Sequence, residues 1–586
     1  MNYISIDVET AGLIRKGKVP PLLCVGYARD DGKNGVLKAQ ELDQLKELAN
    51  GHIAVFHNAS FDVPVLSYYG QTFTDYEDTQ LMSYVLNPGG QHSLESWGVT
   101  LENRKHEKPW KGDYPTEYSN QLATYCRQDA RLTLELFHYL KYKLMNDERA
   151  FNFYNNVELP YSCVIQEMEA TGLYVDSNGL QKLRAELEIE VSRISSQLRS
   201  ACPRVPGTIK YYKNEHPNKV PPDWKYYGQM PDGTYKYQII VPFNPNSNDH
   251  KAYALKKVDK VKLEATTASG KPKVDSATLE EIGTPFAQKL VELGKINKII
   301  SGFLIPLSEY QDEKGFVRGN FNQTVTLTGR LSSSNPNLQN IPRRGELGSK
   351  MRQLITVPDD NTVIVNGDLS NIEARVLAWM LYEYVGDSSL ANKFINKEDF
   401  HSDNAASWDI SRDDAKTVLF AIVYGATEHR ISKVLKISLS EARQFIKKLE
   451  RKMPSLFELR DLVIEGCINH KGVLHSLFGR RLVYPEITSK NKWERSAAER
   501  QIFNAYIQGT AGDILKSLTL NSMQHIRFYG ARIAASVHDE VLIYCPKESA
   551  DELINVLNTI FNDDKILAPV PIVAEFRQGK TWKESH

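Results

Sequence analysis

The chain has 586 residues, 41% of them hydrophobic and 25% charged, and its 72 Lys and Arg balance 72 Asp and Glu to a formal net charge of zero. That length suggests three to five domains with cores of their own, and the composition excludes a largely disordered chain, a collagen-like one and a small disulfide scaffold. No apolar run approaches the roughly 18–20 residues of a membrane helix, and a neutral chain can hold nucleic acid only through local basic patches.

The N-terminus opens directly into the strand-like MNYISIDVE, without a basic and then apolar leader, so no export signal is expected. Runs rich in Val, Ile, Leu and Tyr at 3–9, 22–28 and 53–56 predict strands, and helical patterns occupy 41–50, 61–69 and 116–144. Residues 1–148 therefore read as one α/β domain. Leu180, Leu183, Leu187, Val191, Ile194 and Leu198 recur at helical spacing and predict a long amphipathic helix over 178–199. Residues 203–242 differ, with seven prolines and six tyrosines, and read as an irregular loop or small β insertion. Helical character resumes at 276–310. Strand-like runs recur at 362–368, 533–537 and 541–545, and helices fill most of 370–384, 411–424, 440–450 and 493–521. The six cysteines, Cys24, Cys126, Cys163, Cys202, Cys467 and Cys545, are scattered without a CxxC pair. That fits reduced thiols in a cytoplasmic compartment and argues against a structural zinc site.

Three acidic clusters stand out in the first domain. Asp7 and Glu9 lie two apart on one strand and share a face. Asp62 follows in HNASFD, where a strand end meets a helix. Asp129 lies in YCRQDARLT, four residues after Tyr125 and on the same helical face. Four converging carboxylates repel unless cations compensate. Two divalent metals provide that compensation, activate a water and stabilise a leaving phosphodiester oxygen; Tyr125 would hold the water. A lone Asp-x-Glu is ordinarily a solvated surface pair. All three clusters in order, with Asn58 and Tyr125 at matching offsets, resemble the DEDD superfamily of 3′–5′ exonucleases in its tyrosine-containing branch. That resemblance implies an RNase-H-like domain taking a single-stranded 3′ end.

The second half carries GDLSNIEAR at 367–375, with Asp368 ending a strand, and VHDEV at 537–541, with Asp539 and Glu540 in a hairpin turn. In RDDAKTVLFAIVYG, Arg412, Lys416, Phe420 and Tyr424 recur every four residues along one helical stripe. Two cations followed by two aromatics suit phosphates at one end and a base at the other; the bland alternative is a half-buried helix with snorkelling cations. TGRLSSSNPNLQNIP at 328–342, FHSDNAA at 400–406, LFGRRLVYPEI at 477–487 and ERQIFNAYIQGTAGDILK at 499–516 complete an ordered set. By these motifs the chain resembles family A, polymerase-I-like DNA polymerases over nearly its whole length.

The resemblance implies a right-hand domain and a layout of 1–148 proofreading exonuclease, 149–322 thumb with the insertion near 203–242, 323–410 palm, 411–498 fingers and 499–586 second part of the palm. It implies that Asp368 and Asp539 are palm metal ligands with Glu540 beside them, and that Arg412, Lys416 and His401 meet the incoming triphosphate. Lys416 matches the residue proposed to protonate pyrophosphate. Phe420 and Tyr424 match positions near the sugar and nascent pair, and Glu373 the position that crowds the 2′ carbon. Arg330, Arg500, Asn504 and Gln508 match residues that track the primer–template, and His538 one at the primer terminus. It further implies Mg²⁺ (two ions per active site, with Mn²⁺ an acceptable substitute), primer–template DNA and deoxynucleotides as partners, and no membrane.

Leu419 and Ala421 depart from the Asn and Gly frequent in the fingers motif, and Asn371 from Gln. The absence of a separate 5′-nuclease domain and the segment FNPNSNDHKAYAL at 243–255 look phage-like, which would place the protein in a host cytoplasm. The insertion interleaves Arg204, Lys210, Lys213, Lys219, Lys225 and Lys236 with tyrosines and Trp224, against Glu215, Asp223 and Asp232. That pattern suits duplex DNA or a processivity factor or helicase. Three other functions fit the residues less well. An exonuclease whose second half only grips DNA leaves Asp368 and Asp539 without a use, and a non-catalytic scaffold has no use for seven acids. A single-subunit RNA polymerase is opposed by Glu373 and the exonuclease half.

Overall fold

The computed structural model describes residues 2–102, 108, 110, 112–212, 224–267 and 269–586. It divides into two compact units, residues 1–175 with 310–586, and residues 176–309.

The first unit opens with a five-stranded mixed sheet. Its strands are β1 (Asn2–Thr10), β2 (Leu22–Arg29), β3 (Asn34–Lys38), β4 (His52–Phe56) and β5 (Tyr76–Asp78), in the order β3-β2-β1-β4-β5. β1 pairs antiparallel with β2 and parallel with β4, an RNase-H-like arrangement. The helices of this part are α1 (Gln44–Ala49), α2 (Ala59–Tyr68), α3 (Thr79–Leu86), α4 (Leu94–Glu102) and α5 (Asn120–Met145). α5 packs directly on β2, because Gly26 has no side chain: a Cβ there would overlap the backbone carbonyl of Cys126. Ser5 Oγ donates to the Ala130 carbonyl at 2.6 Å and pins the same helix to β1.

Farther along the unit, Thr362–Leu369, Arg532–Val537, Glu540–Pro546 and Ala574–Gly579 form a four-stranded antiparallel sheet. It is crossed by the 37-residue helix Lys492–Phe528, whose Ala498, Ile502, Phe503, Ala505, Tyr506 and Ile507 are buried. Glu540 is the first residue of its strand rather than part of a turn, and only His538 and Asp539 make the two-residue hairpin loop. His538 has φ +57°, the left-handed first position that such a tight loop demands.

In the second unit, the amphipathic helix spans Ser177–Ala201. The region 276–310 is not one helix. Gly283, at φ +65°, ends Ser276–Ile282, Thr284 caps the next start by accepting from the Ala287 N–H, and Pro285 takes the first position of Pro285–Ile299. The insertion is a β element: Tyr235–Pro242 lies between Arg204–Tyr212 and Trp224–Gln229 in an antiparallel sheet. Lys210 sits 5.3 Å over the Trp224 ring and Lys236 5.9 Å over Tyr211. Tyr211 and Tyr226 are more than half exposed. Lys213, Glu215, Lys219 and Asp223 lie outside the described residues.

Candidate active sites

The N-terminal acids come together as expected. Asp7 and Glu9 pair with Gly26 and Cys24 of β2, under the face of α5 that carries Tyr125 and Asp129. Asp62 is aimed at β1, where its Oδ1 accepts from the Val8 N–H at 3.1 Å. The corner that delivers Asp62 is made by Asn58, left-handed at φ 76°, a conformation Asn tolerates better than most residues. A residue that sequence reading missed holds this corner. Asp78 accepts from the backbone N–H groups of Asn58, Ala59, Gln80 and Leu81, and so caps α2 and α3 together. Its signal in the sequence is only an Asp before a helical run.

Asp7, Glu9, Asp62, Asp78 and Tyr125 line a cleft of about 1220 Å³ that continues past Arg15, Lys16, Lys18 and Arg318. Burial, and then the charge of Asp129, pushes Glu9 up to about 8. Burial followed by Asp129, Glu9 and Asp62 raises Asp7, and burial followed by Asp78 and Glu9 raises Asp62. The Tyr125 phenol is raised by burial and by Asp129. Trp110 meets Tyr125 edge-on, 5.6 Å between ring centres.

Among the described residues, no three His, Cys, Asp or Glu side chains are gathered tightly enough to hold a metal by themselves. Mg²⁺ commonly takes only one or two carboxylates and completes its shell with water and substrate phosphate oxygens. The donors fit that use. They are hard oxygens that repel one another, and the buried Asp7 Oδ2 has no hydrogen-bond partner. Metal binding here must displace protons, so affinity is expected to rise with pH through about 8, where Glu9 ionises. The sign for the metal-free protein is opposite. A raised carboxyl holds its proton more tightly when folded, so stability falls as pH rises between the unfolded value of about 4.5 and the folded value of about 8. Thermal melts at pH 5 and pH 8, with chelator and with Mg²⁺, check both signs.

In the second site Asp368 stands across from Glu540 in the antiparallel ladder, and the Leu369 N–H donates to the Asp539 carbonyl at 3.1 Å. Gly367 precedes Asp368 because the Phe576 ring fills the place of its Cβ. Burial, and then Glu540, lifts Asp368 to about 6, opposed by Arg343. Glu540 is only 2% exposed. It accepts from Arg352 at 3.1 Å and Trp582 Nε1 at 3.0 Å, and pairs with Arg343 at 3.3 Å. Its oxygens are thus taken by protein donors, unlike those of Asp368, which has Arg343 only at 3.8 Å. Arg343, Arg352 and Trp582 were not singled out from sequence, since nothing local marks their pairing with an acid so distant in the chain.

The stripe on the helix Arg412–Val423 forms as expected. Phe420 lies 5.9 Å from Tyr424, Arg412 is exposed and bonded to Asp399 at 2.7 Å, and Lys416 is half-buried. The departures Leu419 and Ala421 are both buried. His401 is not open to solvent. The residue is 3% exposed, its ring centre lies 3.9 Å from that of Phe400 at a 40° tilt, and neither ring nitrogen is hydrogen-bonded. Burial, with Lys416 and Arg412 nearby, lowers it to about 4, so it is neutral.

The aromatic end of the stripe meets the acids. Tyr424 donates its hydroxyl to Glu373, and Arg330 bridges Glu373 and Asp539, the latter at 3.4 Å. The long helix lies alongside. Gly425, left-handed at φ +70°, has the Arg500 side chain where a Cβ would be, Gln508 bonds Tyr424, and Asn504 keeps a buried, unbonded Oδ1. Arg500 itself is exposed and bonded to Ser496 at 2.8 Å. His538 is exposed at the hairpin tip.

Fold and acids define a protein of two carboxylate centres, one on an RNase-H-like sheet and one on an antiparallel sheet faced by a cation-and-aromatic helix. Residues 1–145 match the 3′–5′ exonuclease family and residues 229–584 match DNA polymerase family A, and the chain belongs to DNA polymerase family A. It is 30% identical over 522 residues to the thermostable DNA polymerase I of Thermus aquaticus, covering 86% of this chain and 55% of that protein. It is 27% identical over 622 residues to DNA polymerase I of Borreliella burgdorferi, covering the whole chain and 62% of that protein. The chain thus spans little more than half the length of these relatives. Its fold is that of the POL domain of Pol1 from M. smegmatis, solved with DNA primer-template and dNTP, with a TM-score of 0.81 at 23% identity, covering 99% of this chain and 96% of that one. No described helix is long and apolar enough to cross a membrane.

Proposed function

We propose that the protein is a template-directed DNA polymerase that adds deoxynucleotides to a primer 3′ end and proofreads with a 3′–5′ exonuclease. One observation carries this reading. The chain Tyr424–Glu373–Arg330–Asp539 joins the cation-and-aromatic helix to the carboxylates, making them one site. Phosphoryl transfer is mostly positioning and charge stabilisation, and these parts provide both. We assign Arg412 and Lys416 to the triphosphate, with Lys416 delivering a proton to the departing pyrophosphate. His401 joins them once the Phe400–His401 segment turns its ring outward. Glu373, held by Tyr424 and Arg330, blocks a 2′-hydroxyl. Arg500, Asn504 and Gln508 line the template path, and His538 meets the primer end. Asp368 and Asp539 would hold two Mg²⁺ ions, for which Mn²⁺ would substitute, and which would supply charge stabilisation at the α-phosphate and the attacking hydroxyl. Glu540 anchors Arg343 and Arg352 behind them. In the other site Asp7, Glu9, Asp62 and Asp129 would hold the metals, and Tyr125 would orient the attacking water on a single-stranded 3′ end.

The domain layout we assign is 1–148 exonuclease, 149–322 thumb, 323–410 and 499–586 palm, and 411–498 fingers. Phage-type replication is the biological setting we favour, on the insertion and the segment 243–255. A labelled primer–template with Mg²⁺ and deoxy- or ribonucleotides tests the main reading: deoxynucleotide extension is expected, and ribonucleotide extension of equal efficiency would make it an RNA polymerase.

Phe420 gives a specificity prediction. A phenyl ring beside the sugar offers no hydrogen bond, so a dideoxynucleotide, lacking the 3′-hydroxyl that can bond its own phosphate, is a poor substrate. Phe420→Tyr supplies a hydroxyl at nearly unchanged volume and should raise the dideoxy-to-deoxy incorporation ratio more than about tenfold. A smaller change, with normal extension, would place Phe420 away from the sugar.

The inserted sheet, with its lysines over aromatic rings, is assigned to duplex DNA or a processivity partner. Replacing 203–242 by a short Gly-Ser link should shorten products made in a single encounter. Unchanged lengths would make it a packed element without a partner.

A further inference from the structure

A group of buried charges lies between the two sites and belongs to neither. Arg480 and Glu158 are fully buried and paired at 2.8 Å; Arg480 also pairs with Asp513 at 2.8 Å, and Lys516 with Glu158 at 2.8 Å. Two cations and two carboxylates make the quartet neutral, which lets it persist out of water. The Arg480 guanidinium lies 4.5 Å from the Phe153 ring centre, and its Nη1 donates to the Tyr84 hydroxyl at 3.4 Å.

Tyr84 comes from α3, on the exonuclease side of the unit, yet both its polar contacts are with residues far later in the chain. Its hydroxyl donates to the Thr326 carbonyl at 2.7 Å, and Thr326 Oγ1 donates in turn to the Arg330 carbonyl at 2.6 Å. Between these two residues, Gly329 is left-handed at φ +79°, and the guanidinium of Arg480 occupies the space of its missing Cβ. The turn that carries Arg330 is therefore held twice by one phenol, through the Thr326 carbonyl and through Arg480. Arg330 is the residue that bridges Glu373 and Asp539.

We infer that Tyr84 is a positioning residue for Arg330, so that the exonuclease domain helps set the geometry of the polymerase site. The inference rests on the polymerase reading above. Tyr84→Phe keeps the ring and deletes both hydrogen bonds, whereas changing Arg480 would strand Glu158 and Asp513 and compromise folding.

The test is a double-mutant cycle on kcat for single-nucleotide extension, with the full chain and Mg²⁺. Tyr84→Phe is expected to lower kcat about 3- to 10-fold, the range for a lost buried hydrogen bond, with the KM for deoxynucleotide little changed. It should leave degradation of a single strand at the wild-type rate. In an Arg330→Ala background the same change should have no further effect, since a residue that acts through Arg330 cannot act without it. Thr326→Val, which cuts the next link, should repeat the pattern and serves if Tyr84→Phe folds poorly. Wild-type extension by both variants, or an equal loss in both backgrounds, would overturn the inference. Failure of the wild-type chain to extend primers would instead sink the polymerase reading.

Discussion

Asp368→Ala or Asp539→Ala should each cut primer extension by about a thousandfold or more, because a metal ligand in phosphoryl transfer contributes several kcal/mol at the transition state. Neighbouring acids cannot take over. Glu540, across the ladder from Asp368, is committed to Arg352 and Trp582, and Glu373 to Tyr424 and Arg330. For Asp368 the loss will not come from unfolding. Asp368 is ionised at neutral pH against burial and the charge of Glu540, so removing it relieves repulsion and should leave the melting temperature equal or higher. Single-strand degradation should continue, since the other acids lie on a different sheet. A loss of less than about tenfold would be too small for a metal ligand.

Asp7→Ala with Glu9→Ala should abolish 3′–5′ degradation and leave extension largely intact. Each side chain is raised by burial and by its carboxylate neighbours, so without metal the pair is a liability. The double variant should therefore melt higher than wild type in chelator at pH 8 and lose most of the wild-type response to added Mg²⁺. Persistent metal-dependent degradation would mean that the exonuclease site lies elsewhere.

The elements carrying these acids were legible because each obeys one strong period. Alternation put Asp7 and Glu9 on one face of β1, and the four-residue repeat of Arg412, Lys416, Phe420 and Tyr424 survived as a real stripe. Long-range pairing was not legible. β3 and β5 are short strands whose place depends on β2 and β4, and neither has a periodic signal of its own. Glu540 read as a turn acid because the hairpin loop is only two residues long; its burial follows from Arg352 and Trp582, which no local pattern connects to it. His401 is buried by packing against Phe400, which its place in FHSDNAA does not reveal. The quartet was equally silent, since Glu158, Arg480 and the Asp513–Lys516 pair lie on three segments far apart in the chain and have no local pattern that joins them until the fold removes them from water.

The central claim is that one chain runs synthesis and proofreading at two separate carboxylate centres. A 5′-labelled primer with a mismatched 3′ nucleotide, annealed to template with Mg²⁺ and deoxynucleotides, tests it most directly. Wild type should remove the mismatch and then extend to full length with the templated base restored. The Asp7→Ala, Glu9→Ala variant should stall on the mismatch but extend a matched primer, and Asp539→Ala should only shorten either primer. Loss of both activities together in either variant would contradict two independent sites.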